Sequence, residues 1–87
     1  MFSQKIYVEI ARGTQKALQE LHGGKAIDQV TVILGYVQLS SRNVAGYDTE
    51  LRAAIERLLE LARAENRREL TDTLEALVRE MDQERAA

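Results

Sequence analysis

The hydrophobic positions of this chain fall into three patterned segments separated by two weak breaks. From the N-terminus, Phe2, Ile6, Ile10, Ala17 and Leu21 recur at spacings of four or seven, with Gly13 and Thr14 filling the missing turn on the same face. That period predicts an amphipathic helix, narrow at Gly13, with Ser3 as its N-cap. Glycine inside a helix costs about 1 kcal/mol relative to alanine, so Gly13 marks either a kink or a close approach by another helix. The IYVEI portion also suits a strand. The four-residue spacing continues past the reach of a typical strand, which favours the helix.

Residues 30–39, VTVILGYVQL, form an almost unbroken apolar run. As a strand the run has the right β-branched residues, Val30, Thr31, Val32 and Ile33, but only IYVEI could pair with it. As a helix starting near Lys25 it places Ile27, Val30, Leu34 and Val37 on one face, a complete three-and-four pattern, and helix is the favoured reading. A second apolar side then remains, made of Ala26, Ile33 and Tyr36 with Val32 and Leu39 nearby. An ordinary surface helix needs one stripe about 100° wide, so both sides of this one require cover. One reading makes it the central helix of a bundle. The other leaves Ile33 and Tyr36 partly exposed beside Tyr7 or Tyr47, where a partner covering them would gain about 1.5 to 3 kcal/mol for each side chain.

From residue 50 onward Leu51, Ile55, Leu58 and Ala62 step by four, three and four, and so do Leu70, Leu74, Leu77 and Met81. Leu59 and Leu61 widen the first stripe. The two stripes are one residue out of phase, which places a change of register in ARAENRRE. Asn66-x-x-Glu69 has the spacing of a capping box, so a tight turn near Glu65 and Asn66 would join two antiparallel helices. One continuous helix drifting through Leu59, Ala62, Asn66 and Leu70 is the alternative. Arg52 with Glu56 and Glu75 with Arg79 are spaced to pair on the outer faces.

Proline is absent, and the breaks are Gly23-Gly24 after LQELH, where a helix would want a left-handed terminator, and SSRNVAGYD at residues 40–48. No internal repeat or low-complexity tract is present. The expectation is one all-α domain over residues 1–87: a small bundle of three to four helices with an antiparallel C-terminal helical hairpin.

Length sharpens this picture. An 87-residue chain buries only about 60% of the surface its unfolded form exposes, which makes dimerisation an expectation as well. Cysteine is absent, so disulfide scaffolds, thiolate nucleophiles and cysteine zinc sites are excluded and a cytoplasmic location is the default. Lys5 and Glu9 interrupt the N-terminal apolar segment, which is therefore no secretory signal, and no run approaches the roughly 20 residues of a membrane span. A net charge of −2 argues against a general polyanion binder. Arg63, Arg67 and Arg68 are the nearest approach to a basic patch, and Glu60, Glu65 and Glu69 dilute it to what a solvated helix face carries.

Candidate chemistry is sparse. His22, the sole histidine, precedes Gly23-Gly24 at a helix end, where a capping role outweighs catalysis or metal binding. Gly23-Gly24 lacks the strand, the further glycines and the Lys-Ser/Thr pair of a phosphate loop. Glu56, Glu60, Glu65 and Glu69 lie mostly outside the apolar stripe, with nothing to desolvate them into an acid–base pair. No enzyme, cofactor or metal is expected.

Two family likenesses attach to particular residues. Residues 33–39, ILGYVQL, resemble the end of the first helix in the dimerisation and phosphotransfer domain of sensor histidine kinases. Gly24 stands where that family has its phosphoacceptor histidine and Gln29 where it has proline, so this likeness implies helical packing without phosphotransfer. Leu34-Gly35, Asn43-Val44, the spacing of Leu51, Ile55 and Leu58, and Thr73-Leu74-Glu75 with Val78-Arg79 resemble the small biofilm and acid-resistance regulators, also called two-component connector proteins. That resemblance implies a short helical protein that associates and modulates signalling proteins. The lysine those proteins tend to carry after the Asn-hydrophobic pair is replaced here by Tyr47-Asp48.

The function expected from these features is a small non-enzymatic protein–protein interaction module: an adaptor, chaperone or inhibitor-like regulator. It would act through an apolar helical surface, as a homodimer and toward another protein, with Ile33, Tyr36, Val37 and Tyr47 as apolar anchors. The alternative is a nucleic-acid-binding transcriptional or biofilm regulator using Arg63, Arg67 and Arg68.

Overall fold

In a computed structural model describing residues 2–42 and 46–86, every regular element is a helix. They are α1 (Gln4–Glu20), α2 (Gly24–Ser41), α3 (Tyr47–Ala64) and α4 (Arg68–Ala86). IYVEI and VTVILGYVQL both lie inside helices, and there is no strand among the described residues. Part of the expected SSRNVAGYD loop is helical, because α2 runs through Ser41 and α3 opens at Tyr47; residues 43–45 lie outside the described residues.

The α1 stripe lies where its spacing puts it. Phe2, Ile6, Ile10, Ala17 and Leu21 are all buried, together with Gly13 and Thr14. Thr14 Oγ1 is satisfied locally, at 3.0 Å from the carbonyls of both Ile10 and Ala11, so its burial leaves no orphaned hydroxyl. Ser3 is the N-cap, its Oγ accepting from the Ile6 N–H at 3.4 Å. Glu84 near the end of α4 takes up Ser3 in turn, accepting from its backbone N–H at 2.8 Å and from its Oγ at 2.5 Å. Gly13 marks a close approach, since a Cβ there would stand 3.3 Å from Leu74 Cδ2 and 3.8 Å from Leu77 Cδ2.

The glycine after α1 works differently from the expectation. Leu21 ends the helix in an extended conformation, its N–H still bonded to the Ala17 carbonyl at 2.8 Å. The positive φ of 102° belongs to Gly23, which is the N-cap of α2. Its freedom is thus spent on entering the second helix.

Both C-terminal stripes are buried, with Ala54, Leu59 and Val78 added to them, and all four helices contribute to one core. The one-residue phase slip between the stripes is a true break. Asn66 sits at φ 58°, its N–H donates to the Arg63 carbonyl and the Arg67 N–H to the Ala62 carbonyl, each at 3.0 Å. These are the two bonds of a Schellman motif with Asn66 at its left-handed position. Asn66 therefore terminates α3, where the sequence spacing had it capping α4, and the continuous-helix alternative is excluded. Glycine adopts this conformation without strain, whereas alanine does not. Replacing Asn66 with Gly should leave stability unchanged or raise it, and replacing it with Ala should lower it by about 1 kcal/mol. Urea unfolding midpoints measure both, and an Ala variant more stable than the Gly variant would contradict the turn.

Candidate protein-interaction surface

Three of the four seams between neighbouring helices are laced by polar bridges. Between α3 and α4, Arg52 grips Asp82 with two hydrogen bonds of 2.5 and 2.9 Å while also pairing with Glu56 at 3.1 Å. Farther along, Arg63 reaches Glu75 at 3.6 Å, taking the carboxylate expected to pair with Arg79. Lys16 of α1 pairs with Glu69 of α4 at 3.2 Å, in line with the Ser3–Glu84 clamp at the other end. Gln29 of α2 donates to the Ala54 carbonyl of α3 at 3.3 Å, and the Tyr36 and Tyr47 rings meet at 5.9 Å, tilted by 34°.

The seam between α1 and α2 is different. Among the described residues it is crossed by a hydrogen bond between Tyr7 Oη and Ser40 Oγ at 2.5 Å. Ser40 Oγ donates its one proton to Asp48 Oδ1 at 2.7 Å, so the Tyr7 hydroxyl is the donor in the first bond. Ser40 is buried, which puts its oxygen out of reach of a substrate and makes the chain from Tyr7 through Ser40 to Asp48 a tie between α1, α2 and α3. Sequence reasoning missed this tie because its members stand 33 and 8 positions apart.

The phase of α2 corrects the expected interface. Ala26, Val30, Ile33 and Ser40 are its buried residues, a line stepping by four, three and seven. Ile33, expected as an exposed anchor, has no exposed surface and belongs to the intrachain core. Tyr36 and Val37 are half-buried against that core, and Tyr47 is half-buried beside Tyr36. Ile27 and Leu34, expected to point inward, are 59% and 47% exposed. The buried line takes Val30 from one expected side and Ala26 and Ile33 from the other, so the spacing of the apolar residues alone could not choose between them. In the structure Ser40 lies on the buried side, its hydroxyl bonded to both Tyr7 and Asp48.

Rotated this way, α2 carries Ile27, Thr31, Leu34 and Gln38 on its outer side, all exposed and spaced by four, three and four. Gln29, Tyr36 and Ser40 mark the flank of α2 that meets α3, so the Ile27 line lies on the opposite flank, toward α1. On α1, Gly13 and Lys16 mark the flank that meets α4. Gln4, Val8, Ala11, Gln15 and Leu18 lie on the flank opposite, stepping by four, three, four and three, and all are exposed. Among the described residues the exposed large hydrophobics are Val8, Leu18, Ile27, Val32 and Leu34, and all but Val32 fall on these two lines. Neither line contains an Asp, Glu, Lys or Arg, although such residues are 30% of the chain. The signal for this face was present in the sequence as two charge-free stripes of helical period. It was masked because Ile27 and Leu34 also read as core.

The remaining candidates stay apart from this face. Arg63, Arg67 and Arg68 gather at the turn between α3 and α4, where Arg63 is held by Glu75 and the buried Nε of Arg67 has no hydrogen-bond partner. His22 is exposed, and its backbone N–H donates to Glu65 Oε1 at 3.4 Å. Glu56, Glu60 and Glu69 are exposed and Glu65 half-buried. Among the described residues no group of three or more His, Cys, Asp or Glu is placed to hold a metal, and no helix is long and apolar enough to cross a membrane.

Three carboxylates are held below their ordinary range. Asp82 is lowered chiefly by the Arg52 guanidinium, and Glu84 by the Ser3 hydroxyl and backbone N–H. Burial pushes Asp48 up, but its hydrogen bonds, including that from Ser40, and nearby positive charge outweigh this. A carboxyl lowered on folding contributes stability that is present above its unfolded value and is lost as pH falls through its folded value. Stability should therefore be level near neutrality and decline below about pH 4, and the decline should be shallower in Asp48→Asn. Urea midpoints from pH 7 to pH 2.5 test this, and equal acid slopes for the two proteins would remove Asp48 from the account. Comparison with protein-family models, with curated proteins and with solved structures finds no match to this chain.

Proposed function

We propose that this chain is a non-enzymatic protein–protein interaction module of the adaptor, chaperone or inhibitor-like kind, acting through an apolar helical face. The observation that carries the reading is the concentration of exposed Val8, Leu18, Ile27 and Leu34 on the flanks of α1 and α2 that meet at the α1–α2 seam. Exposed apolar side chains scattered singly need no explanation, but a contiguous group rimmed by polar residues marks a docking surface. In this reading α3 and α4 form an antiparallel hairpin that acts as a rigid support. Its outer surface is charged with both signs, which keeps it soluble and unattached.

The likeness to two-component connector proteins agrees with such a role through Leu34-Gly35 and the Leu51, Ile55 and Leu58 spacing. Asn43-Val44 lies outside the described residues. Affinity capture with the intact protein and with Leu18→Glu/Leu34→Glu tests the reading. A stoichiometric protein, or a second copy, retained by the first and lost by the second is the expected result. Equal retention by both would remove this face from the function.

A regulator binding nucleic acid through Arg63, Arg67 and Arg68 is the second reading. Its phosphate contacts would have to compete with Glu75 for Arg63. Anisotropy with labelled duplex DNA at low salt decides it: binding that weakens steeply as salt rises would support it, and no binding would end it.

A further inference from the structure

We infer that the occupant of the α1–α2 face is a second copy of this chain, docked about a two-fold axis so that the charge-free lines of one copy meet those of the other. This rests on the interaction-module reading and names its partner. The first argument is electrostatic. In a two-fold interface a surface patch faces itself, so any surplus of one charge on it is opposed by the same charge. Gln4, Val8, Ala11, Gln15 and Leu18 on α1, with Ile27, Thr31, Leu34 and Gln38 on α2, carry none. The amides of Gln4, Gln15 and Gln38 each both donate and accept, so they can pair with their own copies.

The contrast with the rest of the molecule sharpens this point. Of the 12 basic and 14 acidic residues only seven precede Arg42, and every one of those seven lies off the two lines. Lys16 and Glu20 are paired on the flank toward α4, and Glu9, seven residues before Lys16 and thus on the same side of the helix, pairs with Arg12. A partner chosen by charge would dock on α3 and α4. The face between α1 and α2 offers it nothing to read.

Size is the second argument. Gln4 to Leu18 on α1 and Ile27 to Gln38 on α2 make a face about 20 Å long, and two adjacent helices make it about 20 Å wide. That is roughly 400 Å² on each copy and about 800 Å² in the pair, the size of a weak, reversible contact. Two helices meeting two helices use the whole face, whereas a single docked helix would cover about half. The repeating four-and-three steps on both lines are also the spacing by which helices pack side by side.

Sedimentation equilibrium of the full chain from low micromolar to about 1 mM tests the inference, with circular dichroism recorded on every variant. The intact protein should pass from monomer to dimer over that range. Leu18→Glu/Leu34→Glu should weaken the dimer by roughly tenfold or more while keeping its helicity, because carboxylates then face carboxylates. Gln15→Glu/Thr31→Glu, at exposed polar positions, should do the same, which keeps the test valid if the first variant folds poorly. Leu18→Lys/Leu34→Lys should also be monomeric alone, and mixing it with Leu18→Glu/Leu34→Glu should restore a dimer. An intact protein still monomeric at the highest concentration, a dimer indifferent to the Glu variants, or a mixture that does not associate would each overturn the second copy as occupant. If the intact protein nonetheless captured a different protein that Leu18→Glu/Leu34→Glu lost, the interaction-module reading would stand without this inference.

Discussion

Ile33→Glu should unfold the chain, and Leu34→Glu, one residue along, should leave the isolated monomer folded. Ile33 is fully buried among its own chain's side chains, so a glutamate there loses the packing of an isoleucine and must desolvate a carboxylate with no cation to receive it. Together these cost about 4 kcal/mol or more. A domain of this length has a total stability of roughly 4 to 13 kcal/mol at the usual value per residue, so the loss takes most of the lower end of that range. Leu34 is 47% exposed, and its carboxylate would remain in water. Its replacement should cost the monomer about 1 kcal/mol or less. Thermal unfolding followed by circular dichroism at low micromolar concentration compares the two without a contribution from association. A folded Ile33→Glu protein together with an unfolded Leu34→Glu protein would mean that α2 is rotated by the 100° separating adjacent residues.

The second large effect is at the crossing of α1 and α4. Leu74→Ala should cost about 2 to 5 kcal/mol, since Leu74 has no exposed surface and its removal leaves a cavity beneath Gly13. Gly13→Ala alone sets two effects against each other. Alanine gains about 1 kcal/mol in helix propensity, but its methyl would lie 3.3 Å from Leu74 Cδ2 in a core that gives way little. The two should nearly cancel in the intact core. In the Leu74→Ala background the opposing contact is gone, and Gly13→Ala should then stabilise by about 1 kcal/mol. The double-mutant cycle reads the difference directly as a coupling energy. Additive effects would mean that α1 and α4 do not approach as closely here as the structure places them.

The proposed docking face has a different dependence on sequence from the core. Buried positions on α1, α3 and α4 repeat at helical spacing with polar residues between them, so only one rotation of each helix hides its apolar side. For α2 two rotations were nearly equivalent, because residues 29–41 contain no charged side chain to mark the outside. The ambiguity and the proposed function have one origin: a helix left uncharged on its outer side looks buried all round when read as a sequence.

The amino-acid sequence alone determined that the chain is helical, and where most of its breaks fall. Local spacing carries that information, since apolar residues at three- and four-residue steps make a helix worth packing, and a one-residue slip such as that between Ala62 and Leu70 favours a turn over a continuous helix. It also determined that Gly13 sits at a special place in α1, because glycine in a helix interior needs a reason. Only the tertiary structure decided that this reason is Leu74, that Asn66 ends α3 instead of starting α4, and that Ile33 faces in while Leu34 faces out. The first and last of those choices involve groups far apart in the chain, the Leu74 methyl beneath Gly13 and the Ser40 hydroxyl between Tyr7 and Asp48; the Asn66 choice is local, a left-handed residue that the spacing of Asn66 and Glu69 did not reveal. A hydrogen bond across 33 positions leaves no periodic trace, yet it marks the buried side of α2, and Ile27 and Leu34 lie away from that side in water.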